Sequence, residues 1–170
     1  RSLITLRIVC VTAADAQIIL EAARVAGKKV SVNYLYNFEP PGLELESLLA
    51  KRALGDIVHL DTLYGYNLLP GKRFHNVLDH VLAKVAGHLG DDTDVKVTAF
   101  RRRPASGNPT LDALSDELRF ILRSGGTTVT GLISAHGRPV AHALRVVGTK
   151  DTVELDYTAR TLVKAVNWSQ

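Results

Sequence analysis

Residues 116–157 read DELRFILRSGGTTVTGLISAHGRPVAHALRVVGTKDTVELDY, and the reading of this stretch decides the fold. Apolar and polar residues alternate through Asp116–Arg123, Thr127–His136, Val140–Gly148 and Thr152–Tyr157, the period of a half-buried strand. Gly, Pro, Asn or Asp turns, Gly125-Gly126 among them, separate the runs. Short strands joined this way pair antiparallel. Working outward, Asp94–Arg103 and Thr161–Val166 extend the series to six runs, with the loop Pro104–Thr110 (PASGNPT) after the first.

Upstream of Gly90 the period is 3.6 in three places. Thr12 and Asp15 form a capping-box-like start, and Ile18, Ile19, Ala22, Ala23 and Ala26 recur at helical spacing before Gly27, which predicts a helix over 12–26. Lys29–Phe38 (KVSVNYLYNF) reads as a strand that Pro40-Pro41-Gly42 stops. Leu43, Leu45, Leu48 and Leu49 place leucines on one face of a second helix ending by Gly55. Asp56–Tyr66 alternates as a strand, and Val77, Leu78, Val81, Leu82, Val85, Ala86 and Leu89 define a third helix over 74–89. The pattern is an α+β fold: a predominantly antiparallel, open-faced sheet with helices packed on one face. Val95, Val97 and Ala99 set against Leu118, Phe120 and Leu122 leave more apolar sheet than three helices would cover, which points to a homo-oligomer through the sheet face.

Composition fits this architecture. The chain has 170 residues, 46% hydrophobic and 22% charged, enough for one core and incompatible with disorder or collagen. The net charge of +4 is modest, and Arg101, Arg102 and Arg103, the single basic run, lack interleaved aromatics, so no nucleic-acid partner is expected. No apolar run reaches the roughly 18 residues of a membrane span, and no membrane partner is expected. With one cysteine, Cys10, neither a disulfide framework nor a cysteine-built zinc site can form, in keeping with the cytoplasm. Methionine is absent, so the chain is expected to begin downstream of its gene's start.

Familiar catalytic signatures are missing. No GxGxxG follows a strand, Gly65–Lys72 carries five residues between its glycines where a P-loop needs four, and there is neither HExxH nor GxSxG. No metal is expected. What remains is the helix FHNVLDHVLAKVAGHLGD from Phe74, on which Asn76, Asp79, His80, Ala83 and Gly87 recur at spacings of three or four. A helix N-terminus favours a neutral imidazole, so His80 can take or give a proton there. The alternative is a partly buried histidine bonded to a carbonyl.

The run TAADAQIILEAARVAGKKVSVNYLYNFEPP, from Thr12, resembles the segment of the glucose-fructose oxidoreductase, inositol dehydrogenase and rhizopine-catabolism (Gfo/Idh/MocA) family that leaves the dinucleotide domain. Leu54–Val58, the helix Val77–Gly90 and the hairpin Leu144–Asp156 are similar to later family segments in the same order. The resemblance implies residues 1–36 as a remnant (helix and strand) of a Rossmann, dinucleotide-binding domain, and 37–170 as the C-terminal domain. It implies the C-terminal part of an NAD(P)-dependent sugar or polyol dehydrogenase, with His80 as proton relay. Tyr36, Asn37 and Asn76 would contact a small sugar or polyol substrate, and Asn33 the cofactor. Where the family has a Glu-Lys-Pro lysine before Thr12, this chain has Ile8-Val9-Cys10-Val11, and of the family's Asp-His-Asp pattern only His80 stands, beside Asn76 and Ala83. NAD or NADP is thus expected in an intact parent and none on this chain alone. Whether the chain is an enzyme stays open, the alternative being a non-enzymatic homo-oligomerisation module, a truncated paralogue.

Overall fold

The computed structural model describes residues 3–6, 13–32, 38–65, 94–100, 117–134 and 140–165. The chain divides into two units, residues 1–35 and 36–170. In the first, β1 (Leu3–Leu6) pairs parallel with β2 (Lys29–Val32), Leu3 opposite Lys29 and Leu6 opposite Val32. Parallel neighbours need a crossover, and α1 (Ala13–Val25) supplies it. Gly27, at φ +61°, ends α1: its N–H reaches the Arg24 carbonyl and that of Lys28 the Ala23 carbonyl. This left-handed closure is the one glycine makes without strain. β1 has no counterpart in the alternation pattern, since four residues are too few to show a period. The remainder of the expected strand, residues 33–37, lies outside the described residues.

The second unit opens with α2 (Pro40–Ala50). Pro40-Pro41-Gly42, read as the stop of the preceding strand, also forms the first helical turn. Proline at the start of a helix forfeits an N–H that would have no intrahelical partner anyway, and its fixed φ suits the helix. The helix ends at Ala50 through Arg52, held at φ +50°.

Among the described residues the sheet has seven strands: β3 (Ile57–Gly65), β4 (Asp94–Phe100), β5 (Glu117–Ser124), β6 (Thr127–Ser134), β7 (Ala141–Gly148), β8 (Thr152–Asp156) and β9 (Thr161–Lys164). Their order is β4-β5-β6-β3-β7-β8-β9, antiparallel throughout except for the parallel pair β3 and β6. All six expected runs are strands. Consecutive runs pair antiparallel except at β6 and β7, which flank β3 instead of each other, so the expectation of a plain meander is corrected. Residues 66–93 are long enough to carry the chain from β3 to the far edge, and the segment between β6 and β7 has only to step over one strand.

Alternation assigns the faces. Leu60 and Tyr64 on β3, Phe120 and Leu122 on β5, Val129 and Ile133 on β6, Leu144 and Val146 on β7, and Val153 and Leu155 on β8 are buried with Leu45 of α2 and Leu54 after it. Burying one such side chain stabilises by about 1.5–3 kcal/mol, so this row of pairs is what holds the sheet flat against its helix. α2 lies over β8 and β9. The expected helix 74–89 and the loop 104–110 lie outside the described residues.

The apolar pairing of β4 with β5 has the register read from sequence, Val95 opposite Leu122, Val97 opposite Phe120 and Ala99 opposite Leu118. Of these residues, Phe120 and Leu122 belong to the core, while Val95 and Val97 are 53% and 55% exposed; the opposite face of the sheet is open as well. There Leu63, Ile121 and Val163 are 40%, 50% and 59% exposed.

Candidate functional site

His80 and Asn76, read as catalytic and substrate-binding, and Asn33, Tyr36 and Asn37, read as cofactor- and substrate-binding, all lie outside the described residues. The described chemistry falls in two other places, one on each face of the sheet.

The first is on the open face, over a shallow cavity of about 750 Å³ that takes in Asp61, Arg119, Thr130, Arg145, Glu154 and Val163. Residues two apart on a strand share a face, which brings His59 and Asp61 of β3 together with Nε2 to Oδ1 at 2.8 Å. The Thr130 hydroxyl donates to the same carboxylate oxygen from β6. Arg145, directly across on β7, holds Glu154 of β8 at 3.3 Å. Partial burial would raise the Asp61 pKa, but the hydrogen bonds from Thr130 and His59 and the charges of His59 and Arg145 outweigh it and hold this carboxyl below its ordinary range. Its oxygens are therefore fixed, ionised acceptors. At the same end of the sheet, Arg119 bonds Glu117 at 3.0 Å.

The second lies on the core side. His142, 3% exposed, packs edge-on against Tyr64 with ring centroids 4.5 Å apart and stacks on Tyr157 at 4.7 Å. Burial pushes the Tyr157 hydroxyl pKa up to about 12, helped by the negative charges of Glu46 and Glu39 at α2.

Sequence reading named neither place. Both were signalled by strand period: His59 and Asp61 alternate out of a buried run, while His142 alternates into one with Leu144 and Val146. Among the described residues, no cluster of three His, Cys, Asp or Glu is placed to hold a metal ion, and no helix is long and apolar enough to cross a membrane.

No family profile and no curated protein sequence matches the chain. Solved structures do. A homologue of inositol dehydrogenase from Azotobacter vinelandii, complexed with NAD+, superposes with a TM-score of 0.77 at 16% identity, covering 99% of this chain and 49% of its own. Levoglucosan dehydrogenase, in complex with NADH and levoglucosan, gives 0.77 at 18% identity, with 94% and 49% covered. The UDP-N-acetylglucosamine 3-dehydrogenase of Acidithiobacillus ferrooxidans gives 0.71 at 14%, with 99% and 56% covered. At these identities the likeness is one of fold. The fold is that of an oxidoreductase C-terminal α+β domain with a βαβ element ahead of it. More particularly, it is the fold of the Gfo/Idh/MocA-type oxidoreductases, and the chain spans about half the length of the solved structures it matches.

Two of those structures hold a nicotinamide dinucleotide. A pyrophosphate cradle between β1 and α1 would need glycines for close backbone approach. The residues there, Arg7–Thr12 (RIVCVT), include none. By sequence, then, this segment lacks the glycines of a dinucleotide phosphate loop.

Proposed function

We propose that this chain is the C-terminal part of an NAD(P)-dependent sugar or polyol oxidoreductase, where it binds substrate and makes the oligomer contact. The observation that carries the reading is the order of the open-faced sheet together with the βαβ element, which superposes over nearly the whole chain on dehydrogenases of inositol, levoglucosan and a sugar nucleotide. Tyr36, Asn37 and Asn76 supply hydrogen bonds to the hydroxyls of a small sugar or polyol, and Asn33 stands on the cofactor side. His80 takes or gives the proton of the substrate hydroxyl. Because no phosphate-loop glycine fingerprint stands in this sequence, the dinucleotide is held by groups outside this chain, and the chain alone is inactive. The setting is the cytoplasm.

Reduction of NAD and NADP by a panel of polyols and sugars, measured on the protein that carries this chain beside a dinucleotide-binding domain, tests the reading. Turnover with at least one substrate supports it; none with any overturns it.

The exposed Leu63, Ile121 and Val163 favour a second reading, a homo-oligomerisation module without catalysis. A protein that associates through this face yet neither binds nor reduces nucleotide would establish it.

A further inference from the structure

Among the described residues, β4 forms one edge of the sheet and has a neighbour, β5, on one side only. Every second residue of an edge strand turns its N–H and C=O away from the sheet, so the outer side of β4 is a template for another strand. The strand is seven residues long, contains no proline and keeps an unbroken register with β5. Asp94–Thr98 are all exposed, and the two valines of that run lie on the face where Phe120 and Leu122 join the core. We propose that β4 pairs antiparallel, edge to edge, with β4 of a second copy of this chain, about a twofold axis that crosses the sheet at Val97. The contact uses neither face of the sheet and stands whichever reading of the function holds.

Charge order along the chain supplies the direction. Asp91, Asp92 and Asp94 precede the valines, and Arg101, Arg102 and Arg103 follow them. Antiparallel copies bring the acidic residues ahead of each strand toward the basic residues behind the other, whereas parallel copies set like charge beside like. The basic run then has its partner in the protein itself. An axis perpendicular to the sheet keeps each face on its own side, so one residue must stand opposite itself. At Val97 all seven residues pair: Asp94 faces the partner subunit's Phe100, Val95 the partner subunit's Ala99 and Lys96 the partner subunit's Thr98. Centring on Lys96 sets two ammonium groups opposite each other, which is destabilising. Centring on Thr98 leaves Asp94 and Val95 beyond the end of the facing strand, and Val95 or Ala99 as centre leaves more than half of β4 unpaired.

The other way to use the edges does not close. β4 laid on β9 of a next copy would leave a bare β4 at the end of the pair and run on as a filament. β9 also has only four residues and packs its Leu162 on the core, and α2 lies over β8 and β9, across the sheet from β4. Lys96 is the kind of charge that guards the edge of a monomer. Opposite the partner subunit's Thr98 it keeps its ammonium in solvent and does not oppose the pairing. Seven residues at about 3.4 Å each, in a sheet about 10 Å thick, give on the order of 250 Å² per copy. That is well under the ~800 Å² of a standard interface, so the pairing is weak and is read by trapping it.

The test is disulfide trapping on the full chain at high micromolar concentration. Cys10→Ser removes the only cysteine, and single cysteines are then placed on β4. Val97→Cys is expected to form a disulfide-linked dimer at least tenfold faster than Val95→Cys. Facing residues stand about 5 Å apart at Cα, within the roughly 7 Å that a disulfide spans, whereas the two copies of position 95 lie about 14 Å apart. A one-to-one mixture of Lys96→Cys and Thr98→Cys is expected to give mainly the mixed dimer. Molar salt should slow the trapping of Val97→Cys at least threefold, because it screens the attraction between the charged ends. If circular dichroism shows that Val97→Cys unfolds, the mixture of the position 96 and position 98 variants decides alone. Equal rates at positions 95 and 97, a statistical spread of dimers from the mixture, or a rate indifferent to salt overturns the proposal.

Discussion

Gly148 lies so close to the main chain of Leu54 that a Cβ at position 148 would stand 2.0 Å from the Leu54 carbonyl oxygen. That carbonyl also accepts the N–H of Lys150 at 3.0 Å, which ties the turn after β7 to the end of α2. At Gly131 a Cβ would come equally close, 2.0 Å, to the ring of Phe120. The difference is what can yield, because a ring tip can turn aside and a hydrogen-bonded carbonyl cannot. Overpacking costs about 1–3 kcal/mol. Gly148→Ala is expected near about 3 kcal/mol and Gly131→Ala near about 1–2 kcal/mol, read from urea midpoints at constant slope. Equal losses, or the reverse order, would contradict this account of both contacts.

Tyr157 gives a pH prediction with a definite sign. Its hydroxyl pKa is raised in the fold from 10.0 to about 12, so between those values the unfolded chain has lost a proton that the folded chain retains. Stability falls with rising pH wherever the folded state binds more protons. It should therefore be unaffected below pH 10 and decline from about pH 10 to 12, by roughly 2–3 kcal/mol at 1.36 kcal/mol per unit. Tyr157→Phe removes the titrating group but keeps the ring on His142. Denaturant unfolding followed across this range should show a flatter alkaline limb for the variant, and parallel limbs would assign the decline to other groups.

Much of this fold was legible because its strands are half buried: alternation in DELRFILRS and AHALRVVG marks both the strand and its inner face. Strand order was not legible, since insertion of β3 between β6 and β7 is set by which apolar rows meet across the sheet, and Leu60 can pack with Val129 and Val146 only after the chain has closed on itself. Pro40-Pro41-Gly42 was read for the strand it stops and not for the helix it opens, because proline does both by the same missing N–H. His59 and Asp61 were passed over because the sequence shows two isolated polar residues, whereas the partners that fix the carboxylate, Thr130 and Arg145, come from strands far along the chain.

The residues between β1 and α1 lead to a direct binding prediction. Arg7–Thr12 carries none of the glycines that let backbone N–H groups approach a pyrophosphate closely. Calorimetric titration of the 170-residue chain with NADH should give no saturable heat at micromolar ligand. Saturation in that range would show that another part of the chain holds the dinucleotide, and would reassign Asn33.

His80 is the residue on which the enzyme reading turns. In a protein that joins this chain to a dinucleotide-binding domain, His80→Ala removes a proton relay, and loss of general acid–base catalysis is worth about 100-fold to 10,000-fold in rate. His80→Asn keeps size and polarity but cannot carry a proton, so it separates chemistry from packing. Both variants should lower kcat by similar factors while leaving the urea midpoint nearly unchanged. His136→Asn should leave turnover close to wild type, and so should His59→Asn, whose bond to Asp61 belongs to the open face. Near-normal turnover of His80→Asn, with activity lost in His136→Asn, would return His80 to the role of a structural helix residue and move the proton chemistry to the strands.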